Sequence, residues 1–408
     1  MTRFLTCALA LVLSVATLRA QETEAKAAPA DPRANVLRVA TWNLLNLFDE
    51  VDDPDRPDED TDPKSFADMV AMARFLDEIE ADVVGVQEVE NRRILERLNS
   101  YLERPFAYVE LIEGNDFRGI DVGILSRVPI ERAASHRQMP LEGDQRYSRD
   151  FPFFRLRPTD RDALQVGVVH LKSKRGDKKT SDAWRHAEAM GVATVVKRQL
   201  ELEPKTPCLV MGDFNDRRDS EPLAPIFGVL EDLTAKLVPE SDRFSFVHRG
   251  EPEQIDFILT ANLRATRARI LHRPDNPSDH HPVIVDFDLG APIRRVAVPS
   301  NGAPRPPQRP VIDARNLEEI GRNFLKEVTI EGSVAKVFRP KSGGVLLNFD
   351  ADFRKAITVY VPRESIETLG DLDALVGQRV RVSGPVGKHR DALQIRLSRP
   401  EQLERPKR

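Results

Sequence analysis

Six short polar motifs, each placed directly after an apolar run, carry the residue types that hydrolytic chemistry requires. An apolar strand that ends in Asn, Glu, His or Asp delivers those side chains to a loop at the end of a sheet, where a cleft can form. One such motif is a weak signal, but six in one chain predict a shared site. The motifs are Thr-Trp-Asn43, Gln-Glu88, Val-His170, Gly-Asp-Phe-Asn215, Ile-Asp256 and Ser-Asp-His280.

These residue types favour metal-assisted hydrolysis of a phosphate ester. Asn43, Glu88 and Asp279 offer hard oxygen ligands, which suit Mg²⁺, with Ca²⁺ or Mn²⁺ as alternatives, better than a closed zinc site. A divalent ion neutralises developing charge, a carboxylate orients the attacking water, and cationic side chains hold the other phosphate oxygens. The chain has no glycine-rich phosphate loop followed by Lys-Ser or Lys-Thr and no Gly-x-Ser-x-Gly motif, which disfavours nucleotide-driven work and serine esterases.

The elements that must position these residues alternate between strands and helices. Apolar residues at helical spacing predict helices over residues 65–80, 92–102 and about 182–200. The alternation predicts one large α/β domain over residues 35–290. The strand candidates cover residues 36–42, 82–86, 122–125, 153–156, 164–170, 208–211, 255–260 and 283–287.

In their order along the chain, the six motifs resemble those of the endonuclease/exonuclease/phosphatase superfamily, the deoxyribonuclease-like metal-dependent phosphodiesterases. The resemblance covers residues 35–289 and implies a four-layer sandwich, with two mixed β-sheets face to face and helices outside. The block from His170 to Lys174, with Arg185 after it, is most similar to bacterial extracellular nucleases. Leu45 stands where some members carry a carboxylate, which disfavours the abasic-site-repair branch and leaves the number of metal ions open.

The resemblance implies roles for the residues around the metal and the attacking water. Asn43 and Glu88 would bind or position the metal ion, with Asp279 nearby. Asp213 would align or deprotonate the water. Asn215 would fix Asp213 and contact the phosphate.

The resemblance also implies how the phosphate itself is held. His170 and His280 would stabilise the pentacovalent phosphate or act as acid and base, and Asp256 would orient His280. Arg149 is similar to the phosphate-contacting arginine of the family. Lys172 is either a second phosphate contact or a solvated loop charge.

Charge is distributed unevenly along the chain. The sequence holds 61 lysines and arginines against 65 acidic residues, a formal charge of -4. Residues 1–290 hold 39 basic and 51 acidic residues, whereas residues 291–408 hold 22 and 14. Residues 49–62 alone carry nine carboxylates and one arginine, which predicts an exposed loop, either simply solvated or ordered by Ca²⁺.

The C-terminal part of the sequence predicts a linker and a second, smaller domain. Residues 291–314 hold six prolines and four arginines, typical of a stiff linker. A helical stretch over 365–375, ahead of the fourth of five strand candidates, predicts a small β-barrel of the oligonucleotide-binding (OB) type over residues 315–400. A basic linker before such a barrel favours polyanion binding, with a structural or partner-binding barrel as the alternative. The strand candidates cover residues 328–338, 344–349, 355–361, 379–384 and 392–397.

The first residues have the composition of a secretory signal peptide over residues 1–20. Arg3 precedes a fifteen-residue apolar run that ends before Ala20, too short to span a bilayer comfortably. An uncleaved anchor is the alternative. Residues 21–34 predict a disordered leader, and the mature protein is expected in the periplasm or outside the cell without stable membrane association. Cys208 would then be its only cysteine, so no intrachain disulfide is expected.

Taken together, the sequence predicts a secreted metal-dependent phosphodiesterase, in the first place a nuclease that cuts DNA and/or RNA and is assumed to be a monomer. One alternative is a sphingomyelinase-like enzyme acting on phospholipid head groups or inositol phosphates. Exposed apolar or aromatic loops would favour it. The other alternative is a binding protein that has lost catalysis, and the six intact motifs argue against it.

Overall fold

The computed structural model describes most of the chain beyond the N-terminal leader. The predicted signal peptide, residues 21–32 of the predicted leader and residues 50–60 of the acidic segment lie outside the described residues. Among the helices that are described, none is both long and apolar enough to cross a bilayer. The described ranges are residues 33–49, 61–304, 310–324, 327–341, 343–389 and 392–406.

Fourteen strands and five helices are described between residues 36 and 288, and they are numbered here in chain order. The strands are β1 (Val36–Leu47), β2 (Val83–Val89), β3 (Tyr108–Ile112), β4 (Asp121–Ser126), β5 (Ile130–Ala134), β6 (Phe153–Leu156), β7 (Leu164–His170), β8 (Cys208–Asp213), β9 (Glu231–Asp232), β10 (Phe246–His248), β11 (Glu251–Glu253), β12 (Asp256–Ala261), β13 (Ala265–Ile270) and β14 (Val283–Asp288). The helices are α1 (Phe66–Ile79), α2 (Arg92–Ser100), α3 (Lys178–Leu202), α4 (Ala224–Phe227) and α5 (Thr234–Leu237).

Two mixed six-stranded sheets form the centre of this region. The first has the order β13-β14-β1-β2-β4-β3 and the second β5-β6-β7-β8-β12-β9. β1 runs parallel to β2, and β7 runs parallel to β8. The other neighbouring strands within the two sheets are antiparallel. A hairpin of β10 and β11 forms a separate two-stranded sheet.

The two sheets pack face to face, with helices on both outer sides. Side chains of a strand alternate between its two faces, so each central strand feeds two cores. In β1, Val39 packs between the sheets, whereas Trp42 packs outward against Phe75 of α1, with ring centroids 5.1 Å apart. On the opposite side, Val210 of β8 packs with Val196 of α3. The predicted four-layer sandwich is therefore confirmed.

The helix boundaries follow capping residues. Ser65 accepts a hydrogen bond from the backbone N–H of Asp68 and begins α1, and Glu80 ends that helix with a φ of 55°. α3 begins four residues before the predicted start, because the side chain of Asp177 accepts the N–H of Thr180 and caps an earlier turn. Such a cap is a local signal that apolar spacing alone does not contain.

The four edge strands of the two six-stranded sheets were not predicted. β3 and β13 are the edges of the first sheet, and β5 and β9 are the edges of the second. Four of the five residues of β5 are exposed, and β13 carries arginines at positions 267 and 269. Edge strands with solvated side chains lack the apolar run that marks a central strand.

The C-terminal part has an apolar core of its own, which includes Ile330, Val359 and Val382. The helices here are short: α6 covers Leu317–Arg322, and α7 covers Ile366–Leu369. The remaining strands are β15 (Val311–Asp313), β16 (Glu327–Ser333), β17 (Lys336–Phe338), β18 (Val345–Asn348), β19 (Thr358–Val361), β20 (Arg379–Pro385), β21 (Gly387–His389), β22 (Ala392–Arg396) and β23 (Leu403–Glu404).

The predicted barrel differs from the observed sheets. The first predicted strand divides into β16 and β17, and a further short strand, β21, follows the fourth, which is β20. In the described residues the strands belong to a four-stranded sheet, β15-β16-β20-β23, and a five-stranded sheet, β17-β18-β19-β22-β21, and no closed barrel is formed. The helix predicted over 365–375 is also shorter than expected, because Gly370 leaves the helical conformation with a φ of 76°.

Candidate active site

The second sheet places three predicted site residues in one row. His170 at the end of β7 lies beside Asp213 at the end of β8, and Asp256 at the start of β12 lies opposite Asp213. Gly212 allows this close approach: its φ is 146°, and a Cβ there would lie 1.9 Å from the carbonyl oxygen of Val169. Only glycine fits that position.

The first sheet delivers Glu88 through a distorted strand end. Glu88 has a φ of 59° and lies where β2 shifts register against both of its neighbours. Leu45 and Asn46, in a corresponding irregularity of β1, have φ values of 51° and 52°. The N–H of Asn46 donates to Oε2 of Glu88 at 2.9 Å, so the two strand ends hold each other. Left-handed non-glycine residues cost about 1–3 kcal/mol each and concentrate at functional sites.

A cleft of about 1120 Å³ opens where these strand ends meet. The other two predicted residues, Asn43 and Asp256, are buried directly behind it. Nδ2 of Asn43 donates to Oδ2 of Asp213 at 3.2 Å, so Asn43 orients a residue of the cleft. The ten predicted site residues therefore lie together. Those that line the cleft are Glu88, Arg149, His170, Lys172, Asp213, Asn215, Asp279 and His280.

His280 forms a buried pair with Asp256, and Nδ1 of the ring lies 2.8 Å from Oδ2 of the carboxylate. Its Nε2 lies 3.9 Å from Oδ2 of Asp213. Burial alone would lower the pKa of His280, but the carboxylates of Asp256, Asp213 and Asp279 together raise it to about 10. At neutral pH this ring is therefore a cation that can donate to a phosphate oxygen or a leaving group.

His170 has the opposite electrostatic environment. Burial, reinforced by the positive charge of Arg149, lowers the pKa of its ring well below 6.5. Nε2 lies 3.5 Å from Oδ2 of Asp213, and Nδ1 makes no hydrogen bond to any described residue. His170 is thus neutral near pH 7, which suits a hydrogen-bonding role rather than an acid role. The sequence predicted the same role for both histidines, whereas the structure gives them opposite protonation states at neutral pH.

Asp213 lies between the two histidines and is itself buried. Burial raises its pKa to about 7, and the charge of Asp256 adds to the effect. Its Oδ1 accepts the backbone N–H of Asn215 at 2.7 Å. A carboxylate with a pKa close to the working pH is suited to accept a proton from an attacking water.

The cationic side of the cleft is built around Arg149. Its guanidinium is 5% exposed, and Nε lies 3.1 Å from Oδ2 of Asp116. Nη1 donates to the carbonyl of Leu171 at 3.4 Å, and Nδ2 of Asn215 donates to the same carbonyl at 2.9 Å. Lys172 directly follows Leu171 in the chain and also lines the cleft. Cationic and amide donors therefore lie together on one edge of the cleft.

Comparison with known proteins agrees with this arrangement. A model of the endonuclease/exonuclease/phosphatase family matches residues 40–280. The chain belongs to this family. As a member of it, the protein is a hydrolase that acts on phosphodiester bonds. No curated protein sequence matches the chain.

The fold of this family member is similar to that of several solved structures. Truncated TDP2 from Caenorhabditis elegans is 16% identical, with 62% of this chain and 97% of that chain covered and a TM-score of 0.47. The catalytic domain of human nocturnin with bound sulfate is 16% identical, with 62% and 94% covered and a TM-score of 0.46. A family protein from Leptotrichia buccalis C-1013-b is 15% identical, with 62% and 100% covered and a TM-score of 0.47.

Enzymes of this family depend on a divalent metal ion, and the carboxylates of the cleft fit one. Burial raises the pKa of Asp279, and the charge of Glu88 raises it further. The charge of His280 acts against this rise. Glu88 and Asp279 both line the cleft, and a hard divalent ion would offset the repulsion between their charges. Ligand atoms of Asp213, Asp256 and His280 also lie within 4.8 Å of one another and could hold a metal ion. This trio differs from the predicted ligands, and two of its members already hydrogen-bond to each other.

Some residues outside the six motifs contact the predicted site residues, and the sequence did not predict them. Asp116 pairs with Arg149, and its loop also brings Phe117 and Arg118 to the cleft. The run Gly-Asn-Asp-Phe-Arg-Gly just before β4 was an available signal, because glycines on both sides of charged residues mark an exposed turn. The side chain of Phe246 lies against His280, with ring centroids 4.8 Å apart, and no local pattern marks it.

Proposed function

We propose that this protein is a nuclease that hydrolyses phosphodiester bonds of DNA and/or RNA with the help of a divalent metal ion. The observation that carries the proposal is the lining of the cleft. Seven lysine and arginine side chains surround the acidic floor, and aromatic rings stand among them. This combination suits a strand with a repeating negative charge and flat bases. The cations are Arg118, Arg146, Arg149, Lys172, Lys174, Arg175 and Arg249.

The metal ion would be held by Glu88 and Asp279, with Asn43 behind them. Glu88 and Asp279 line the open cleft, and neither is part of the Asp256–His280 pair. Mg²⁺ suits these oxygen donors, and Ca²⁺ or Mn²⁺ are alternatives. When bound, the ion neutralises charge on the phosphate.

The side chains of the cleft would divide the remaining work. Asp213 would take a proton from the water whose oxygen attacks phosphorus, because its pKa lies near 7. The imidazolium of His280 would stabilise the charge of the pentacovalent phosphate or donate to the departing oxygen. Arg149 and Lys172 would hold the remaining phosphate oxygens, and neutral His170 would donate a hydrogen bond.

The C-terminal sheets would help to hold polymeric substrate. Phe338 and Phe353 are 46% and 55% exposed, and each has a cationic side chain close to its ring: Lys336 at 5.8 Å and Arg354 at 5.9 Å. Exposed rings beside cations are the elements of a stacking surface for single strands. With the predicted signal peptide, this supports a periplasmic or secreted enzyme that degrades nucleic acid.

The test is turnover of plasmid DNA, RNA, sphingomyelin and bis(para-nitrophenyl) phosphate in Mg²⁺, Ca²⁺ or EDTA. The proposal predicts metal-dependent cleavage of polynucleotide, abolished in the His280→Ala variant. Asp286→Asn is the matched control, because Asp286 is an equally buried carboxylate paired with Arg38 away from the cleft. Hydrolysis of the small diester without hydrolysis of DNA or RNA would refute the nuclease proposal.

A second candidate, a phosphodiesterase of phospholipid head groups, is favoured by one observation. Phe117 at the rim of the cleft is 69% exposed, and Val247 in the β10–β11 hairpin is 45% exposed. Apolar side chains on such rims can enter a lipid surface. Sphingomyelin turnover in the same assay, with no cleavage of polynucleotide, would select this candidate.

A further inference from the structure

A buried carboxylate, Glu188 on α3, lies beneath the cleft and connects two of its segments. The side chain is 1% exposed. Its Oε1 accepts the backbone N–H of Ser148 at 2.6 Å, and its Oε2 accepts the backbone N–H of Lys172 at 2.6 Å. Ser148 directly precedes Arg149. One carboxylate thus spans the two segments that carry the candidate phosphate contacts.

Both backbone polar groups of Lys172, its N–H and its carbonyl, are hydrogen-bonded to side chains of α3. Nη1 of Arg185 donates to the carbonyl of Lys172 at 2.8 Å, while Glu188 binds its N–H. Arg185 and Glu188 are three residues apart on α3 and therefore share one face of the helix. Arg185 is fully buried, and its Nε donates to Oδ2 of Asp216 at 3.1 Å, which fixes the guanidinium in turn.

The segment that contains Arg149 is fixed to α3 at a second place. A Cβ on Gly191 would lie 2.5 Å from the hydroxyl oxygen of Tyr147, so the helix and this segment are in close contact. The other segment is tied to the catalytic row, because the carbonyl of Leu171 accepts from both Arg149 and Asn215. A shift of either segment would therefore move several phosphate contacts together.

The energetics argue that Glu188 does more than fill space. A buried carboxylate is costly unless it is fully hydrogen-bonded, and an apolar side chain would occupy the inner face of α3 at lower cost. Burial also raises the pKa of Glu188, with the two backbone hydrogen bonds and Arg149 acting against that rise. The residue is stabilised by the two loops that it joins.

We propose that Glu188 is a positioning residue, whose carboxylate sets the separation of Arg149 and Lys172 around the substrate phosphate. This role rests on the proposed function, since it concerns the same cleft. Glu188 touches no reacting atom and acts through the two backbone N–H groups that it binds.

The Glu188→Gln variant tests the proposal. The glutamine has nearly the same size, but it can accept only one of the two N–H groups, and its own amide N–H₂ faces the other. We expect kcat/KM for bis(para-nitrophenyl) phosphate to fall about ten- to hundredfold, the range found when groups that orient active-site ligands are lost. The fall should come mainly from a higher KM, and inhibition by inorganic phosphate should weaken by a similar factor. Val196→Ala, also buried on α3, should lower stability but leave these constants unchanged.

A second pair of variants, made in a protein that lacks the Arg149 and Lys172 side chains, distinguishes a positioning role of Glu188 from a merely structural one. In the Arg149→Ala/Lys172→Ala variant the groups that Glu188 positions are gone. Adding Glu188→Gln there should change kcat/KM by less than about twofold, because residues that act through one another are not additive. An equal loss in both backgrounds, or unchanged constants in the single Glu188→Gln variant, would overturn the proposal.

Hydrolysis tests the proposed function, and phosphate binding tests the role of Glu188 separately. If the unmodified protein hydrolyses no phosphodiester, the proposed function fails. The role of Glu188 is then judged by calorimetric titration with inorganic phosphate. An affinity about tenfold weaker in the Glu188→Gln variant supports the role. Equal affinities, or no phosphate binding by the unmodified protein, contradict it.

Discussion

Replacing Asp256 by asparagine removes the charge that keeps His280 protonated. The two side chains are 2.8 Å apart and both are buried, and the pKa of His280 is about 10. Without that charge, burial opposes only the smaller effects of Asp213 and Asp279, and the pKa of His280 should fall toward its ordinary value of about 6.5. A complete fall of about 3.5 pKa units sets an upper limit of about 5 kcal/mol on the free energy lost by the protonated ring.

The consequence is a change in the pH dependence of hydrolysis. The intact enzyme keeps His280 protonated up to about pH 10, so activity that needs the imidazolium is lost only above that pH. If the pKa falls fully to 6.5, about 3% of the rings are protonated at pH 8, so kcat/KM of Asp256→Asn should be up to about thirtyfold below that of the unmodified enzyme at that pH. Measured against the unmodified enzyme at the same pH, this deficit should shrink toward pH 6. The assay is a pH profile of diester hydrolysis, with Asp286→Asn as the control. An unchanged alkaline limb in Asp256→Asn would refute the assigned charge of His280.

Three further predictions concern stability and substrate binding. Asp213→Asn should abolish hydrolysis. Without metal it should also raise the free energy of unfolding at pH 8 by up to about 4 kcal/mol, because the raised pKa of Asp213 makes its ionised form destabilise the fold, an effect that grows from about pH 4 to about pH 7 and is complete above that. Chemical denaturation that gives an unchanged or lower free energy of unfolding would contradict this. Gly212→Ala should lower the free energy of unfolding by more than about 4 kcal/mol or prevent folding. Gly143→Ala should lower it by about 1 kcal/mol, because no described residue outside its own turn has an atom within 4 Å of the new Cβ. Similar melting temperatures of the two variants would refute the steric argument. Joint replacement of Phe338 and Phe353 by alanine should raise KM for polynucleotide about tenfold or more and leave the small diester unaffected; an unchanged KM for polynucleotide would reject the stacking surface.

The parts of the molecule that could be predicted are those in which a local pattern decides the structure. β6 and β7 begin and end as predicted, because β7 is buried along its whole length and β6 is buried except at Arg155. The polar residues at the strand ends could be found for the same reason, since a polar residue that ends an apolar run marks the edge of the sheet, where a cleft can form. The structure brings Asn43, Glu88 and His280 together from distant parts of the chain as expected.

The parts that could not be predicted depend on what a side chain meets across the fold. Glu188 lies in a long helix, where a glutamate is ordinarily a solvated residue, and only the loops packed above it make it a buried acceptor. His170 and His280 look alike in sequence, but their pKa shifts are opposite. Burial, reinforced by Arg149, lowers the pKa of His170, whereas the carboxylate of Asp256 helps to outweigh burial at His280. The C-terminal strands form two sheets through pairings between distant segments, such as β19 with β22, which no local pattern contains.

The central claim is that this cleft hydrolyses nucleic acid with a divalent metal ion. The most direct measurement is cleavage of supercoiled plasmid DNA and of single-stranded RNA by the full chain in Mg²⁺, compared with EDTA and with His280→Ala. We expect cleavage of at least one polymer in Mg²⁺, none in EDTA, and none by a His280→Ala variant that melts as the unmodified protein does. Cleavage that persists in EDTA or in His280→Ala, or no cleavage of either polymer, would contradict it.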